Sequence, residues 1–290
     1  MTKILEPSVS VIMPTLNVEK YVRESIDSII DQTFKNFEFI IIDGGSKDDT
    51  VKIINNYIEK DNRIKFYSFD NLGRIDTRQK GVLLAKSRFI AWQDADDVSY
   101  KDRLEIQYKF LEDNPDIAVV GSYLDFYCDK TKKIISVRKY YADDYNLRKR
   151  IFLFCPIAQP ASMIRKEAIE EVGNYNKDFI DLIGLKDEKG YPEDLEMWLK
   201  IGLKYKFANI TKSLIKYRIN NNDSVTSKNL RKMELATVKL RMWYGLKKFG
   251  YRMSLLDKVY CLLMRISIYL LPSKLKMRIF GFFRDSKKTT

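Results

Sequence analysis

The sequence of 290 residues contains no histidine. This absence excludes a Ser-His-Asp triad, a Cys-His nucleophile pair, a histidine general base and a zinc site built on imidazole nitrogens. Any acid–base chemistry must therefore come from carboxylates, lysines or tyrosines. Cysteine is scarce too, because only Cys128, Cys155 and Cys261 occur, and they form neither a C-x-x-C pair nor a disulfide framework. A chain of this kind suits a reducing cytoplasm.

Long apolar runs are also missing. No stretch reaches the roughly twenty apolar residues that a membrane-spanning helix needs, and the N-terminus lacks the pattern of a secretory signal peptide. The sequence therefore predicts no transmembrane helix. Hydrophobic residues make up 45% of the chain and are interspersed with charge, which predicts a substantial folded core rather than disorder.

The net charge of +13 is distributed unevenly. Residues 1–224 carry 36 basic and 36 acidic side chains, whereas residues 225–290 carry 16 basic and 3 acidic ones. A neutral body with a basic tail argues against a protein-wide nucleic-acid surface. It favours an anionic partner for the tail alone.

Strand-like and helix-like runs alternate through the first hundred residues. The predicted strands are 8–13, 37–42, 64–69 and 88–92. This alternation predicts an α/β fold with a parallel sheet, in which ligands bind beyond the carboxyl ends of the strands. Polar clusters at 14–17, 43–46 and 94–97 each follow a predicted strand, so we expect them at one edge of the sheet.

Three acidic motifs are candidates for chemistry. Asp94-Ala95-Asp96 could share a divalent cation that neutralises a leaving diphosphate; the alternative is a solvated turn before the helix predicted at 102–113. Asp43-Gly44-Gly45-Ser46 could accept hydrogen bonds from a nucleoside, and its alternative, a β-to-α turn, does not exclude binding. Glu193-Asp194 opens a predicted helix, where acidic residues are favourable in any case. Without histidine, one of these two carboxylates is a candidate general base.

The motifs occur in an order that resembles the family 2 glycosyltransferases over roughly residues 8–220. They are Pro14-Thr15-Leu16-Asn17, Ile42-Asp43-Gly44-Gly45-Ser46, Thr77-Arg78-Gln79-Lys80-Gly81, Asp94-Ala95-Asp96-Asp97, Arg103-Leu104-Glu105, Asn114-Pro115-Asp116 and Glu193-Asp194-Leu195-Glu196-Met197-Trp198. The resemblance implies a GT-A fold, the Rossmann-like fold of nucleotide-diphospho-sugar transferases. It also implies inversion at the anomeric carbon in a single displacement.

The resemblance implies a role for each motif. The donor nucleotide would be held by Pro14, Thr15, Asn17, Asp43, Gly44, Arg78 and Asp94. Asp96, with Asp94, would ligate Mn²⁺ or Mg²⁺. Asp194 would be the catalytic base, with Glu193 beside it to orient the acceptor or the sugar.

The sequence departs from the family pattern at three places. Gly44 stands where a second aspartate is more usual, and Gln159-Pro160 stands where many members have His-Pro. Tyr217-Arg218-Ile219-Asn220 replaces a Tyr-Arg-x-His ending, and Asn220 could offer a metal only an amide oxygen. The resemblance therefore implies a weaker or more hydrated metal site.

Two helices are predicted in the tail, at 229–249 and 254–271. In the second, Ser254, Asp257, Lys258 and Arg265 share one wedge, and apolar residues cover most of the remainder. This pattern favours a helix in the membrane interface beside anionic lipid. The alternative is a helix packed on the catalytic domain or on a partner chain.

Together these observations predict a catalytic domain at 1–222 and a basic amphipathic tail at 223–290. The domain would divide into a nucleotide-binding half at about 1–97 and an acceptor-binding half at 98–222. The predicted enzyme is an inverting, metal-dependent hexosyl- or N-acetylhexosaminyltransferase with a nucleotide-sugar donor, UDP-sugar favoured. Its acceptor would be a glycan or lipid-linked glycan for surface polysaccharide, at the cytoplasmic face of the membrane. A sugar nucleotidyltransferase, or a non-catalytic protein that binds membrane or nucleic acid through its tail, remains the alternative.

Overall fold

The computed structural model describes residues 6–185, 188–219, 230–246 and 251–271. The chain forms two compact units. The first comprises the described parts of Met1–Asp143, Ile157–Asn176 and Tyr205–Ile219; the second comprises those of Asp144–Pro156, Lys177–Lys204 and Asn220–Thr290. The second unit thus takes residues from both sides of position 222, and the division into domains there stays a prediction.

The first unit contains a nine-stranded sheet in the order β3-β2-β1-β4-β8-β6-β9-β5, with β7 paired to β6. The strands are β1 Val9–Thr15, β2 Phe37–Asp43, β3 Ile64–Ser68, β4 Phe89–Trp92, β5 Val98–Ser99, β6 Ile117–Cys128, β7 Lys133–Arg138, β8 Met163–Arg165 and β9 Lys206–Ile219. Strands β1 to β4 are parallel, as the alternation predicts. Beyond β4 the sheet is mixed, because β8 runs antiparallel to both β4 and β6.

The register of the parallel strands aligns their carboxyl ends. Thr15 of β1 is opposite Asp43 of β2, and Ile12 of β1 is opposite Trp92 of β4. The polar turns that follow these strands therefore share one edge of the sheet, as expected.

Helices in the first unit pack on this sheet through amphipathic faces. They are α1 Val22–Ile30, α2 Thr50–Ile58, α3 Arg74–Leu84, α4 Arg103–Asp113 and α6 Lys166–Glu171. Helix α1 shows the principle: Val22, Ser25, Ile26 and Ile29 are buried at the i, i+3, i+4 and i+7 positions of one face.

The second unit is helical. Its helices are α5 Asp144–Arg150, α7 Asp178–Leu182, α8 Glu193–Ile201, α9 Leu230–Leu246 and α10 Leu255–Leu270. Helices α9 and α10 share a small core of Val238, Cys261, Met264 and Ile268, and α10 begins at a capping box between Ser254 and Asp257. The two helices predicted for the tail are thus present.

Among the described residues, no helix is both long and apolar enough to cross a membrane.

Candidate active site

The first part of the site is the turn after β2, organised by Asp43. Its carboxylate is fully buried and accepts hydrogen bonds from the backbone N–H groups of Gly45 and Ser46, at 3.0 and 2.9 Å. The hydroxyls of Ser46 and Thr15 also donate to it. Several donors around one buried carboxylate offset the loss of its hydration. In this structure Asp43 holds the turn, and its contact with a nucleoside stays a prediction.

Gly44 brings three loops together at this turn. Its N–H donates to the Thr15 carbonyl at 3.0 Å, and its carbonyl accepts from the Leu72 N–H at 3.1 Å. A Cβ at this position would lie 2.8 Å from the Leu72 carbonyl oxygen, closer than such atoms approach. The second aspartate that is more usual in the family would therefore clash with the Leu72 carbonyl at this position in this chain.

Asn17 joins the loop after β1 to the same turn. It adopts a left-handed conformation with a φ of 52°, which asparagine tolerates better than most residues. Its N–H donates to Ser46 Oγ at 2.9 Å, and its Oδ1 accepts from the Lys47 N–H at 2.8 Å. The structure thus brings Thr15, Asn17 and the turn at 43–46 together, next to Pro14, the penultimate residue of β1.

The second part of the site is the pair formed by Arg78 and Asp94. Arg78, on α3, is buried, and its guanidinium lies 5.0 Å from the centre of the Trp92 ring. Its Nη2 donates to Asp94 Oδ1 at 3.4 Å, while the Asp94 side chain is 31% exposed. A buried cation thus lies beside an accessible carboxylate, and the roles of Arg78 and Asp94 in donor binding stay predictions.

The carboxylates after β4 repel one another. Burial and the nearby charge of Asp94 raise the pKa of Asp96 to about 6. Complete burial and the charge of Asp96 raise the pKa of Asp97 well above its usual range. A divalent cation between Asp94 and Asp96 would relieve this repulsion.

Asp94 and Asp96 offer a metal ion two carboxylate groups as ligands. Among the described residues, no group of three His, Cys, Asp or Glu side chains is arranged to hold a metal ion. Mn²⁺ and Mg²⁺ prefer oxygen ligands, and Mg²⁺ commonly combines one or two carboxylates with water and substrate phosphates. Asp94 and Asp96 fit that mode, in which the donor diphosphate supplies further ligands. The other candidate ligand, Asn220, lies outside the described residues.

Arg218, at the end of β9, supports the loop that carries these carboxylates. Its Nε donates to the Asp96 carbonyl at 2.7 Å, and its backbone N–H donates to Asp97 Oδ1 at 2.9 Å. Its remaining nitrogens donate to Glu24, at 2.5 Å, and to Asp129. The Arg218 side chain is only 1% exposed. We did not predict this role from the sequence, although the Tyr217-Arg218 pair belongs to the quoted motif.

Arg103 supports the same loop from the side of α4. It is fully buried, and its Nη2 donates to the Trp92 carbonyl at 2.6 Å, while its Nη1 donates to Gln93 Oε1 at 3.0 Å. Burial lowers the pKa of Arg103 to about 9. Arg103 therefore acts as a buried support for this loop.

Glu193 and Asp194 lie in the second unit, in the first turn of α8. Asp194 is half-buried; its Oδ1 accepts from the Leu195 N–H at 2.7 Å, and its Oδ2 lies 3.9 Å from Cys155 Sγ. Glu193 is buried, with 5% of its surface exposed. The roles of Asp194 as base and of Glu193 as orienting residue stay predictions.

The start of α8 is held by two contacts of Glu196, one with Tyr191 and one with Lys200. Buried Glu196 accepts from the Tyr191 hydroxyl at 2.8 Å and pairs with Lys200 at 2.8 Å. Burial, reinforced by the charge of Glu196, raises the pKa of Tyr191, so this hydroxyl remains a donor. These contacts hold the turn that carries Glu193 and Asp194.

Comparison with known proteins identifies the family. Residues 10–173 match the family model described as Glycosyl transferase family 2. The chain belongs to this family. It is 34% identical to an uncharacterised glycosyltransferase of Methanocaldococcus jannaschii over 249 residues, which cover 83% of this chain and 79% of the relative. It is 31% identical to the O-antigen biosynthesis glycosyltransferase WbnJ of Escherichia coli over 261 residues, which cover 88% and 93% of the two chains.

Solved structures show the same fold at low sequence identity. Residues 1–349 of TarS from S. aureus, in complex with UDP-GlcNAc, match with a TM-score of 0.67 and 19% identity, covering 97% of this chain and 76% of that one. The mannosyltransferase PcManGT from Pyrobaculum calidifontis, in complex with GDP-Man and Mn²⁺, matches with a TM-score of 0.60 and 16% identity, covering 92% and 71%. The predicted GT-A fold with a helical C-terminal region is confirmed. Membership of the family favours sugar transfer over both alternatives that the sequence left open.

Proposed function

We propose that this glycosyltransferase transfers a hexosyl or N-acetylhexosaminyl residue from a UDP-sugar to a glycan or lipid-linked glycan in surface polysaccharide synthesis. The observation that carries the proposal is the convergence of polar turns where the parallel strands β1, β2 and β4 end. Ligands of open α/β sheets bind at such edges. The UDP-GlcNAc complex of TarS supports a UDP-sugar donor, and the name of WbnJ supports a polysaccharide product.

Within this proposal the turns at 14–17 and 43–46 hold the nucleoside, and Arg78 holds the diphosphate. Asp94 and Asp96 hold Mn²⁺ or Mg²⁺, which supplies Lewis-acid neutralisation of the leaving diphosphate. The Mn²⁺ complex of PcManGT supports the choice of metal. Arg218 and Arg103 keep the loop at 94–97 in place, so the carboxylates need no rearrangement when the donor binds.

Asp194 acts as the general base. It accepts the proton of the acceptor hydroxyl as that oxygen attacks the anomeric carbon, and the bond to the diphosphate breaks on the opposite side. One displacement of this kind inverts the anomeric configuration and needs no covalent carboxylate. The absence of histidine from the chain supports a carboxylate in this role.

The tail associates with the cytoplasmic face of the membrane through helix α10. Eight large apolar side chains of α10 are between 43% and 79% exposed. At about 100° per residue they share one arc of about 140°, and the opposite face, with Cys261, Met264 and Ile268, is buried. The exposed cations Lys258 and Arg265 lie along one border of the apolar arc. This arrangement suits a helix lying in the interface of a membrane that contains anionic lipid.

Calorimetric titration of UDP-, GDP-, dTDP- and CMP-sugars, with and without Mn²⁺, tests the donor assignment. We expect metal-dependent binding of a UDP-sugar that is lost in Asp96→Ala. Asp116→Ala, which removes an exposed carboxylate paired with Lys206, should bind like the wild type. If no sugar nucleotide binds a folded sample with either metal or chelator, the loop at 94–97 is only a turn.

A further inference from the structure

The second unit contains an apolar groove that the proposed reaction does not use. Its volume is about 380 Å³. One wall is a face of α9, formed by Lys239, Met242, Trp243 and Leu246 at the i, i+3, i+4 and i+7 positions. Leu182 and Ile183 at the end of α7 form a second wall, and Arg265 of α10 completes the lining.

Among the residues that the structure describes, two cations and no carboxylate line this groove. The Lys239 ammonium donates to the carbonyl of Ile183, the residue that caps the C-terminal end of α7. This bond fixes the position of the charge and leaves its other N–H groups for a ligand. The Arg265 side chain is exposed and has no hydrogen bond to a described residue. Fixed positive charge among apolar walls attracts an anionic group more strongly than the same charge in open water.

The remaining lining is hydrocarbon that stays open to solvent. Leu182 and Leu246 are 51% and 49% exposed. Half-buried Trp243 is held edge-on against Phe179, with 5.7 Å between the ring centres. Because Arg265 also flanks the apolar arc of α10, the groove borders the surface that would face the membrane.

We propose that this groove binds one anionic phospholipid of the bilayer, with its phosphate at Lys239 and Arg265. One acyl chain lies against Leu182, Met242 and Leu246. The inference rests on the membrane association proposed above and adds a defined lipid site to it. A free phosphate would leave the apolar walls exposed, and a zwitterionic lipid would bring a cation of its own to the two basic residues. An anionic lipid matches both the two basic residues and the apolar walls of the groove.

Tryptophan fluorescence of the full chain can test the site directly. The chain has three tryptophans, of which Trp92 and Trp198 are fully buried, so quenching from the membrane reports on Trp243. Two vesicle preparations would contain equal parts of phosphatidylglycerol and phosphatidylcholine. They would differ only in which of the two lipids carries brominated chains. Under saturating vesicles we expect stronger quenching when the bromine is on phosphatidylglycerol, and loss of this quenching in Trp243→Phe.

Matched charge variants separate a site from diffuse attraction. In Lys239→Gln/Arg265→Gln the preference for brominated phosphatidylglycerol should disappear. Arg231→Gln/Arg252→Gln removes the same charge from two exposed positions of the second unit outside the groove and should retain the preference. Because Lys239 also caps α7, Arg265→Gln alone provides a second variant, in which the preference should be reduced. Equal quenching by the two preparations in the wild type, or equal loss in both double variants, would overturn the proposal.

The same variants distinguish this proposal from the donor assignment. UDP-sugar binding should be unchanged in Lys239→Gln/Arg265→Gln, because neither residue belongs to the donor site. Lipid preference without binding of any sugar nucleotide would leave the groove assignment standing and remove the donor assignment. Donor binding without lipid preference would do the reverse.

Discussion

The sheet edge of the first unit and helix α10 of the second depart from ordinary burial in opposite directions. At the sheet edge, charged groups are buried: Asp97, Arg103 and Arg218 have 1%, 0% and 4% of their surface exposed. On α10, apolar groups are exposed: Leu255 and Leu256 are 76% and 79% accessible. Charges are rarely buried unless they are paired, and a large contiguous apolar surface commonly marks a binding site.

The difference between the two regions lies in how each departure is stabilised. At the sheet edge, hydrogen bonds within the chain satisfy much of the buried charge, and a metal ion would relieve the remaining repulsion of Asp94 and Asp96. On α10, nothing among the described residues covers the apolar arc. Substitutions of the supporting arginines at the sheet edge should therefore reduce stability and donor binding together, whereas substitutions on the arc should affect only association with a membrane.

The largest effect is expected at Asp194, which belongs to neither region. Asp194→Asn should lower kcat by roughly 10²- to 10⁴-fold, because an amide cannot accept the proton of the acceptor hydroxyl. Steady-state transfer assays would measure this loss, and calorimetry should show unchanged donor binding. Asp181→Asn on α7 is the matched control. A kcat within a factor of about two of the wild type would exclude Asp194 as the base.

Arg218→Met should produce the next largest effect, now on folding. The change leaves Glu24 and Asp129 without their partner and removes the hydrogen bond to the Asp96 carbonyl. Removing one partner of a buried ion pair costs about 3–5 kcal/mol of folding free energy. The cost should be lower here, because the Glu24 side chain is 50% exposed and water can solvate its charge. Urea unfolding measures the loss. Arg88→Met, at an exposed pair with Glu112, should cost about 1 kcal/mol or less, and equal losses would contradict a special role for Arg218.

The pH dependence of metal binding should give a smaller effect with a defined sign. The pKa of Asp96 is raised from 3.8 to about 6, so its proton competes with the metal ion below that pH. Metal-dependent donor binding should weaken by up to about tenfold per pH unit as the pH falls from 6 to 5. Calorimetry at pH 5, 6 and 7 measures the effect. A profile that stays flat across this range would contradict coordination by Asp96.

The same pKa shift predicts the opposite slope for stability without metal. Because the folded state holds the Asp96 proton more tightly than the unfolded state, this group favours folding below about pH 4. That contribution is lost as the pH rises from about 4 to 6. Thermal melts in chelator should show the decrease for the wild type and a smaller one for Asp96→Asn.

The smallest effect on folding is expected on α10. Leu263→Glu and Ile266→Glu place charge at positions that are 54% and 43% exposed. The free energy of unfolding should change by no more than about 0.5 kcal/mol, while sedimentation with anionic vesicles should fall. A large loss of stability would mean that the arc is covered within the chain.

The parallel strands could be predicted from the sequence because their apolar runs are short and bounded by polar turns. The strand predicted at 37–42 is observed at Phe37–Asp43, and the strand predicted at 64–69 is observed at Ile64–Ser68. Strand β8 covers only Met163–Arg165, because Pro160 lies in the 3₁₀ turn that precedes it. Helix α7 is only five residues long. Short elements of this kind leave little periodicity to detect.

Only those site residues that belong to local sequence motifs could be predicted. Asp94, Asp96 and Arg78 were identified, but the supports of their loop were not. Arg218 meets the Asp96 carbonyl across 122 residues of sequence and Glu24 across 194. Such contacts depend on the order of strands in the sheet, which spacing alone does not specify.

Helix α10 shows a second limit of sequence patterns. The wedge of Ser254, Asp257, Lys258 and Arg265 was correctly grouped, but Asp257 is buried in the capping box while the apolar arc is exposed. Periodicity tells which residues share a face, but it does not tell which face the rest of the chain covers.

The most direct test of the central claim is to count Mn²⁺ bound in the presence of UDP by electron paramagnetic resonance of the free ion. If Asp94 and Asp96 form the metal site at the sheet edge, the wild type should remove one Mn²⁺ per chain from solution, and Asp96→Asn should remove almost none. Asp116→Asn serves as the control for lost surface charge. One Mn²⁺ bound equally tightly by Asp96→Asn would contradict the assignment of the metal and of the donor site built around it.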